Sequence, residues 1–152
     1  MADLFKGITA GLIATLAVTA VLAVNAVTSL FPSLNLIALV NVTLHAPPHA
    51  LAGWIVHGTA AAAAGGSVYA WLEPRLDADH PVKRGILFGV ATWLASMLLF
   101  MPAAGAGVFG LRIGVHLPIA TLLLHLGYGA LLGWLYDRLG STVEYIATRT
   151  SR

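Results

Sequence analysis

Six histidines and no cysteines frame the chemistry open to this 152-residue chain. Without thiols there is no disulfide, thiolate metal site or cysteine nucleophile, so imidazole ligation and proton transfer remain to be weighed. Two of the six lie inside apolar runs: His57 in "GWIVHGTAAAAAGG" and His125 in "LLLHLGYGALLGW". An ionisable ring in such a run is expensive and marks a contact with protein, a cavity or a ligand. His57 lies seven residues past Ala50 and His125 seven past Pro118. Each is therefore expected about 10 Å below the outer start of its helix, with the two rings level.

Three readings of the pair stay open. The first is a neutral imidazole bonded across helices to Thr15, Thr19, Asn25, Ser96 or a backbone carbonyl. The second is axial ligation of haem b iron by His57 and His125, with Arg112 pairing to the propionates. The third is a metal or proton path that adds His45, His49 and His116 at the outer rim, although no carboxylate lies at that depth. No nucleophile-base-acid set, phosphate loop or dinucleotide fingerprint occurs, so no enzyme is expected.

The elements that carry these histidines follow from composition. Apolar residues make up 59% of the chain and charged residues 9%, with a mean hydropathy of +0.87. That mix is foreign to soluble domains. Four apolar runs, about 4–30, 50–72, 85–101 and 117–135, have the length of a bilayer-crossing helix and lack the alternation of a barrel strand. The expected fold is all-α: an integral membrane four-helix bundle forming one domain over 1–139, with a short tail over 140–152. The first run is too long for a secretory signal core and its opening recurs later, so it reads as a span.

Charge gives an orientation. Lys6, Arg75, Lys83, Arg84, Arg138, Arg149 and Arg152 fall at the termini and in the middle connection, whereas the other two connections hold only Arg112. The positive-inside rule then places both termini in the cytoplasm of a bacterial inner membrane. The net charge of +2 is accounted for by topology and calls for no nucleic acid. Tyr69, Trp71, Trp134 and Tyr136 are expected at headgroup level, and Trp93, mid-span, between helices.

The chain also repeats itself. "KGITAGLIAT" resembles "RGILFGVAT", "LFP" is echoed by "LFMP", and "YAWLEPRL" resembles "GWLYDRL". Two tandem transmembrane hairpins, about 4–76 and 83–139, share one orientation. Small residues four apart should face the bundle interior and let backbones approach. They are Gly7 and Gly11 in the first span; Gly53, Ala61 and Gly65 in the second; Gly85 and Gly89 in the third; and Gly129 and Gly133 in the fourth. The outer segment 32–48 is apolar enough for a short helix at the interface or against a partner, and the glycine-rich 102–114 for a turn folded back on the membrane.

These segments, "PHALAGWIVHG", "MPAAGAGVFGLRIG" and "LLLHLGYGALLGWLYDRL" above all, resemble a family of small bacterial four-span membrane proteins known only as a domain of unknown function. The resemblance covers about residues 6–139 and implies an inner-membrane location with four spans; it carries no activity. The expected role is that of a non-enzymatic multi-pass protein in the lipid bilayer, a homo-oligomer or a small subunit of a larger membrane complex. A haem-binding electron carrier is the alternative. A small transporter or channel would need a polar path that the spans barely provide.

Overall fold

The computed structural model describes residues 2–31 and 35–150, with side chains placed over 3–31 and 35–140. Five helices follow in order: α1 (Ala2–Thr28), α2 (Leu36–Thr43), α3 (residues 51–72), α4 (Pro81–Ala103) and α5 (His116–Thr150). No strand occurs among the described residues. α5 runs on through Thr150, into the short tail expected from residue 140.

Three helices are long and apolar enough to cross a membrane: Asp3–Thr28, Pro81–Ala103 and His116–Gly140. The expected fourth, α3, has the length but is not among them, because His57, Thr59, Ser67 and four glycines dilute its hydropathy. It is nonetheless one continuous helical path. An α-helical Leu51–Thr59 leads into a π-helical Ala60–Gly65 and then α-helical Gly66–Leu72, with Thr59 and Gly66 at the joints both in right-handed helical conformation. A second π-helical stretch, Ser96–Phe100, interrupts α4.

Local chemistry sets the helix starts. Pro81, whose missing N–H costs nothing at the first helical position, opens α4 behind His80, whose Nδ1 accepts from the Val82 amide. Asn35 caps α2 by accepting from the Ala38 amide. At α3 the preceding Ala50 has no side chain to offer, and the cap comes from α2 instead. Fully buried Asn41 accepts from the Gly53 amide at 2.7 Å and donates to the carbonyls of Pro48 and Ala50 at 3.0 and 2.8 Å. The short helix α2 therefore docks on its own chain, through a close approach to Gly53 that a Cβ would block.

Small residues pack the helices into two matching hairpins. On α1, a Cβ at Gly7 would strike Gly66 and Ala70 of α3, and one at Gly11 would lie 2.6 Å from the Ala62 carbonyl oxygen. On α4, a Cβ at Gly85 would fall on the Gly129 carbonyl of α5 and press on Gly133, and one at Gly89 would strike the His125 carbonyl. Contacts of this kind bring backbones together where lipid offers no hydrophobic drive for association. The seam on α3 is Ala62, Gly66 and Ala70, one residue on from the expected Ala61 and Gly65, which turn toward the bundle centre.

The hairpins meet through α1 and α5 and through aromatic contacts. Tyr69 packs edge-on against Phe88 and Tyr136, each at 5.3 Å between ring centres, in a buried cluster with Ala10, Ala14, Tyr128 and Leu132. Tyr69 and Tyr136 are thus core residues where headgroup anchors were expected; Trp71 and Trp134 do face outward. A second cluster, Met97, Met101, Ala106 and Leu117, closes the other end beneath the glycine-rich turns 104–110. Phe109 there takes a left-handed backbone (φ 56°) and lays its ring on Trp93.

Candidate functional site

Between the two clusters lies a cavity of about 380 Å³. Phe88 and Tyr128 belong to its wall from one cluster, Met97 and Met101 from the other. Its lining is overwhelmingly aliphatic and aromatic, with a few polar side chains: Thr15 from α1, His57 from α3, Thr92 and Ser96 from α4, and Thr121, His125 and Tyr128 from α5. Among the described residues, no charged side chain lines it.

The structure brings His57 and His125 to this one cavity. It does not set them level. The seams fix the register: Gly11 meets Ala62 as Gly89 meets His125, and Gly7 meets Gly66 as Gly85 meets Gly129. Ala62 therefore stands in the first hairpin where His125 stands in the second. His57 lies about one and a half helical turns nearer the end where α2 docks. Counting from the helix starts misplaced the pair because the helices begin at different heights on their seams.

The two rings also differ in how they are satisfied. His125 Nδ1 lies 2.8 Å from the Thr121 carbonyl oxygen. A carbonyl only accepts, so the proton of a neutral ring sits on Nδ1 and Nε2 carries a lone pair. His57 Nε2 is buried with no hydrogen-bond partner; Thr15 Oγ1 is buried too, with the Tyr128 hydroxyl as a polar neighbour. None of the cross-helix partners expected for His57 reaches it: Asn25 bonds Phe31, and Thr15 lies beside Tyr128. The Tyr128 hydroxyl donates to the Ala61 carbonyl at 2.6 Å, bonding α5 to the π-helical part of α3. Trp93, between helices as expected, donates from Nε1 to the Pro118 carbonyl and to Thr121 Oγ1.

The remaining expected site residues lie elsewhere. Arg112 is exposed and donates to the Gly105 carbonyl at 3.3 Å, tying together its own turn instead of approaching the histidines. His45, His49 and His116 are exposed and outside the cavity lining. Among the described residues, no group of three or more His, Cys, Asp or Glu could hold a metal ion.

Sequence reasoning placed Thr15 near the histidines but missed Tyr128 and Asn41 as wall and cap, and Ala62, Gly66 and Ala70 as seam. The seam had a readable signal, small residues at 62, 66 and 70. The π-helical stretches had none.

At the far end the basic residues gather. Lys6 lies 3.8 Å from the centre of the Tyr136 ring and 3.4 Å from Asp3. Arg84 donates to Glu73 at 2.5 Å and to the Ala78 carbonyl at 2.8 Å. Lys6 and Arg84 are matching positions of the sequence repeat, as are Tyr136 and Glu73, so each hairpin reaches the other with its equivalent residue.

Comparison with curated proteins and with solved structures gives no match. The family of unknown function DUF6789 matches residues 1–147, and with nearly the whole length covered the chain belongs to that family.

Proposed function

We propose that this chain is a non-enzymatic, four-span protein of the bacterial inner membrane that works by lateral packing, as a homo-oligomer or as a small subunit of a larger membrane complex. The observation that carries this reading is the outer face of α3. The other three long helices present large side chains outward, such as Phe5, Leu16, Leu99 and Leu123, whereas α3 does so only toward its two ends, with Leu51, Ile55, Val56, Val68 and Trp71. On α3, Ala60, Ala63 and Ala64 are exposed, and a Cβ at Gly58 would meet nothing within 4 Å. Small residues facing lipid leave a groove that another helix fills better than acyl chains do. Exposed Leu30, Phe31, Val42, Leu111 and Val115 extend the apolar surface onto the outer connections, where a neighbour would cover it.

Four spans follow if α3 crosses with the rest, because it packs along α1 over its whole inner half. The basic cluster at one end then lies in the cytoplasm with both termini. Replacing Ala63 by Phe tests the packing role. Wild-type protein in mild detergent is expected to run above monomer mass or to bring a stoichiometric partner, and Ala63→Phe to release it. A wild type that is strictly monomeric and alone would end this reading.

One observation favours haem as the alternative: His57 and His125 line a single cavity. The register offset opposes a common axis through one iron, and Arg112 lies outside the cavity wall, where it cannot meet a propionate. Purified protein from haem-sufficient cells is expected to show no Soret band, and a band lost in both His57→Ala and His125→Ala would restore that reading.

A further inference from the structure

Three features of the cavity are not explained by packing the bundle. His57 Nε2 is buried without a partner, although a buried polar atom left unbonded is costly, and the buried Thr15 Oγ1 has beside it only the Tyr128 hydroxyl, whose proton goes to the Ala61 carbonyl. His125 is polarised by its bond to Thr121, so its Nε2 is an acceptor. And both π-helical stretches border this same cavity, through Ala60, Ala61 and Gly65 on α3 and Ser96, Met97 and Phe100 on α4. Wide helical turns of this kind are strained and recur at binding and catalytic sites.

We propose that the cavity is a binding site for an uncharged, lipid-soluble carbonyl compound of the quinone class. The absence of charge on the wall selects a neutral ligand, since an ion there would have no counter-charge. The mainly apolar lining selects a ring or hydrocarbon body, and the volume of about 380 Å³ suits a headgroup with the first part of a tail. The polar groups then set its chemistry. On the first hairpin the Thr15 hydroxyl, and the His57 Nε2 when it carries the ring proton, are donors that meet a carbonyl oxygen. On the second hairpin His125 Nε2 accepts from a hydroxyl, as the reduced form of the same compound presents. A plain acyl chain would fill the space and leave His57 unsatisfied. The inference goes beyond lateral packing and requires only that the bundle sits in lipid, from which such a ligand enters.

The test is a titration of the full-length protein, in mild detergent and in lipid nanodiscs, with decylubiquinone and with decylbenzene, which has the tail without the carbonyls. Tryptophan fluorescence reports binding, because Trp93 bonds Thr121 on the cavity wall. Saturable quenching by decylubiquinone alone is expected, weakened about tenfold in Thr15→Val and again in His57→Leu, with helical circular dichroism unchanged. Leu124→Phe, which narrows the cavity and removes no polar atom, should also abolish it, so a misfolded polar variant does not decide the matter. Quenching that is unsaturable, equal for both probes, or indifferent to these substitutions would overturn the proposal. Its failure would leave the oligomer measurement standing, since that is read as mass.

Discussion

The two hairpins share a scaffold and differ in what they place on it. α1 meets α3 as α4 meets α5, glycine against glycine at matching positions, yet Ala62 in one stands where His125 stands in the other. The ends where each hairpin turns differ as well. The first is closed by a side chain, Asn41, bonding three backbone groups at the start of α3. The second is closed by turns in which Gly105, Gly107 and Gly110 adopt left-handed backbone. What repeats is the seam that holds helices together; what varies is the cavity and its cover. A repeated seam with dissimilar contents is the arrangement expected when close packing sets the fold and the space between hairpins is free to differ.

The seams should give the largest effects. At Gly85 a new methyl would land on backbone that cannot step aside without parting α4 from α5. Gly85→Ala is therefore expected to cost about 3 kcal/mol, the upper end for overpacking. Gly7→Ala should cost somewhat less, because the Gly66 carbonyl leaves a new methyl there more room than the Gly129 carbonyl leaves at Gly85. Thermal unfolding in detergent ranks the two, and a reversed order would undo the claim that the second seam is the tighter.

Asn41 has no equivalent in the second hairpin, so removing it separates the two designs. Asn41→Leu keeps the volume but strips the Gly53 amide and two carbonyls of their partners. About 2 kcal/mol of stability should go, with the loss centred on the start of α3. Amide exchange over residues 51–55 is the readout: faster exchange confined to the opening of α3 supports the cap, and uniform loss across both hairpins would show that α2 holds the whole bundle.

Much of this architecture was written in the sequence. Hydropathy and length marked the long helices, and the glycines at 7, 11, 85 and 89 announced the seam, because small residues four apart have one common use in lipid. The histidine pair was legible as a pair, but its geometry was not. Depth was counted from Ala50 and Pro118, whereas the true reference is the glycine contact, and that is known only once helices are docked. Nor could the row through His57, Ala61 and Gly65 be separated from the seam through Ala62, Gly66 and Ala70. Both have small residues four apart, and a π-helical stretch, invisible in composition, turns the first toward the cavity. Tyr69 and Tyr136 misled for a related reason: an aromatic near a helix end fits an interface or a core equally well until its neighbours are in place.

Two glycines outside the seams give an effect of opposite sign. A Cβ at Gly127 of α5 or at Gly58 of α3 meets nothing within 4 Å. Alanine there should raise stability by about 0.5–1 kcal/mol through helix propensity alone. The pair sharpens the contrast between hairpins: Gly58→Ala, on the small-residue face of α3, should also weaken assembly in a mass measurement, whereas Gly127→Ala should not. Equal behaviour in assembly would remove the special status of that face.

The smallest effect concerns the start of α4, where Lys83 donates to Asp79 at 2.8 Å across one turn. That hydrogen bond, with one from the backbone, holds the Asp79 carboxyl below its usual value. A carboxyl whose folded value is depressed contributes stability above its unfolded value and loses it as pH falls through the folded one. Both side chains are largely exposed, so water and salt screen the pair and its contribution is slight. The difference in melting temperature between wild type and Asp79→Asn should thus be small at neutral pH and vanish as the pH falls below the ordinary carboxylate range. A difference that grew on acidification would mean that Asp79 is better tolerated protonated, and Lys83 would then act at the helix start without its carboxylate, leaving Arg84 and Glu73 as the charge pair that anchors α4 to the first hairpin.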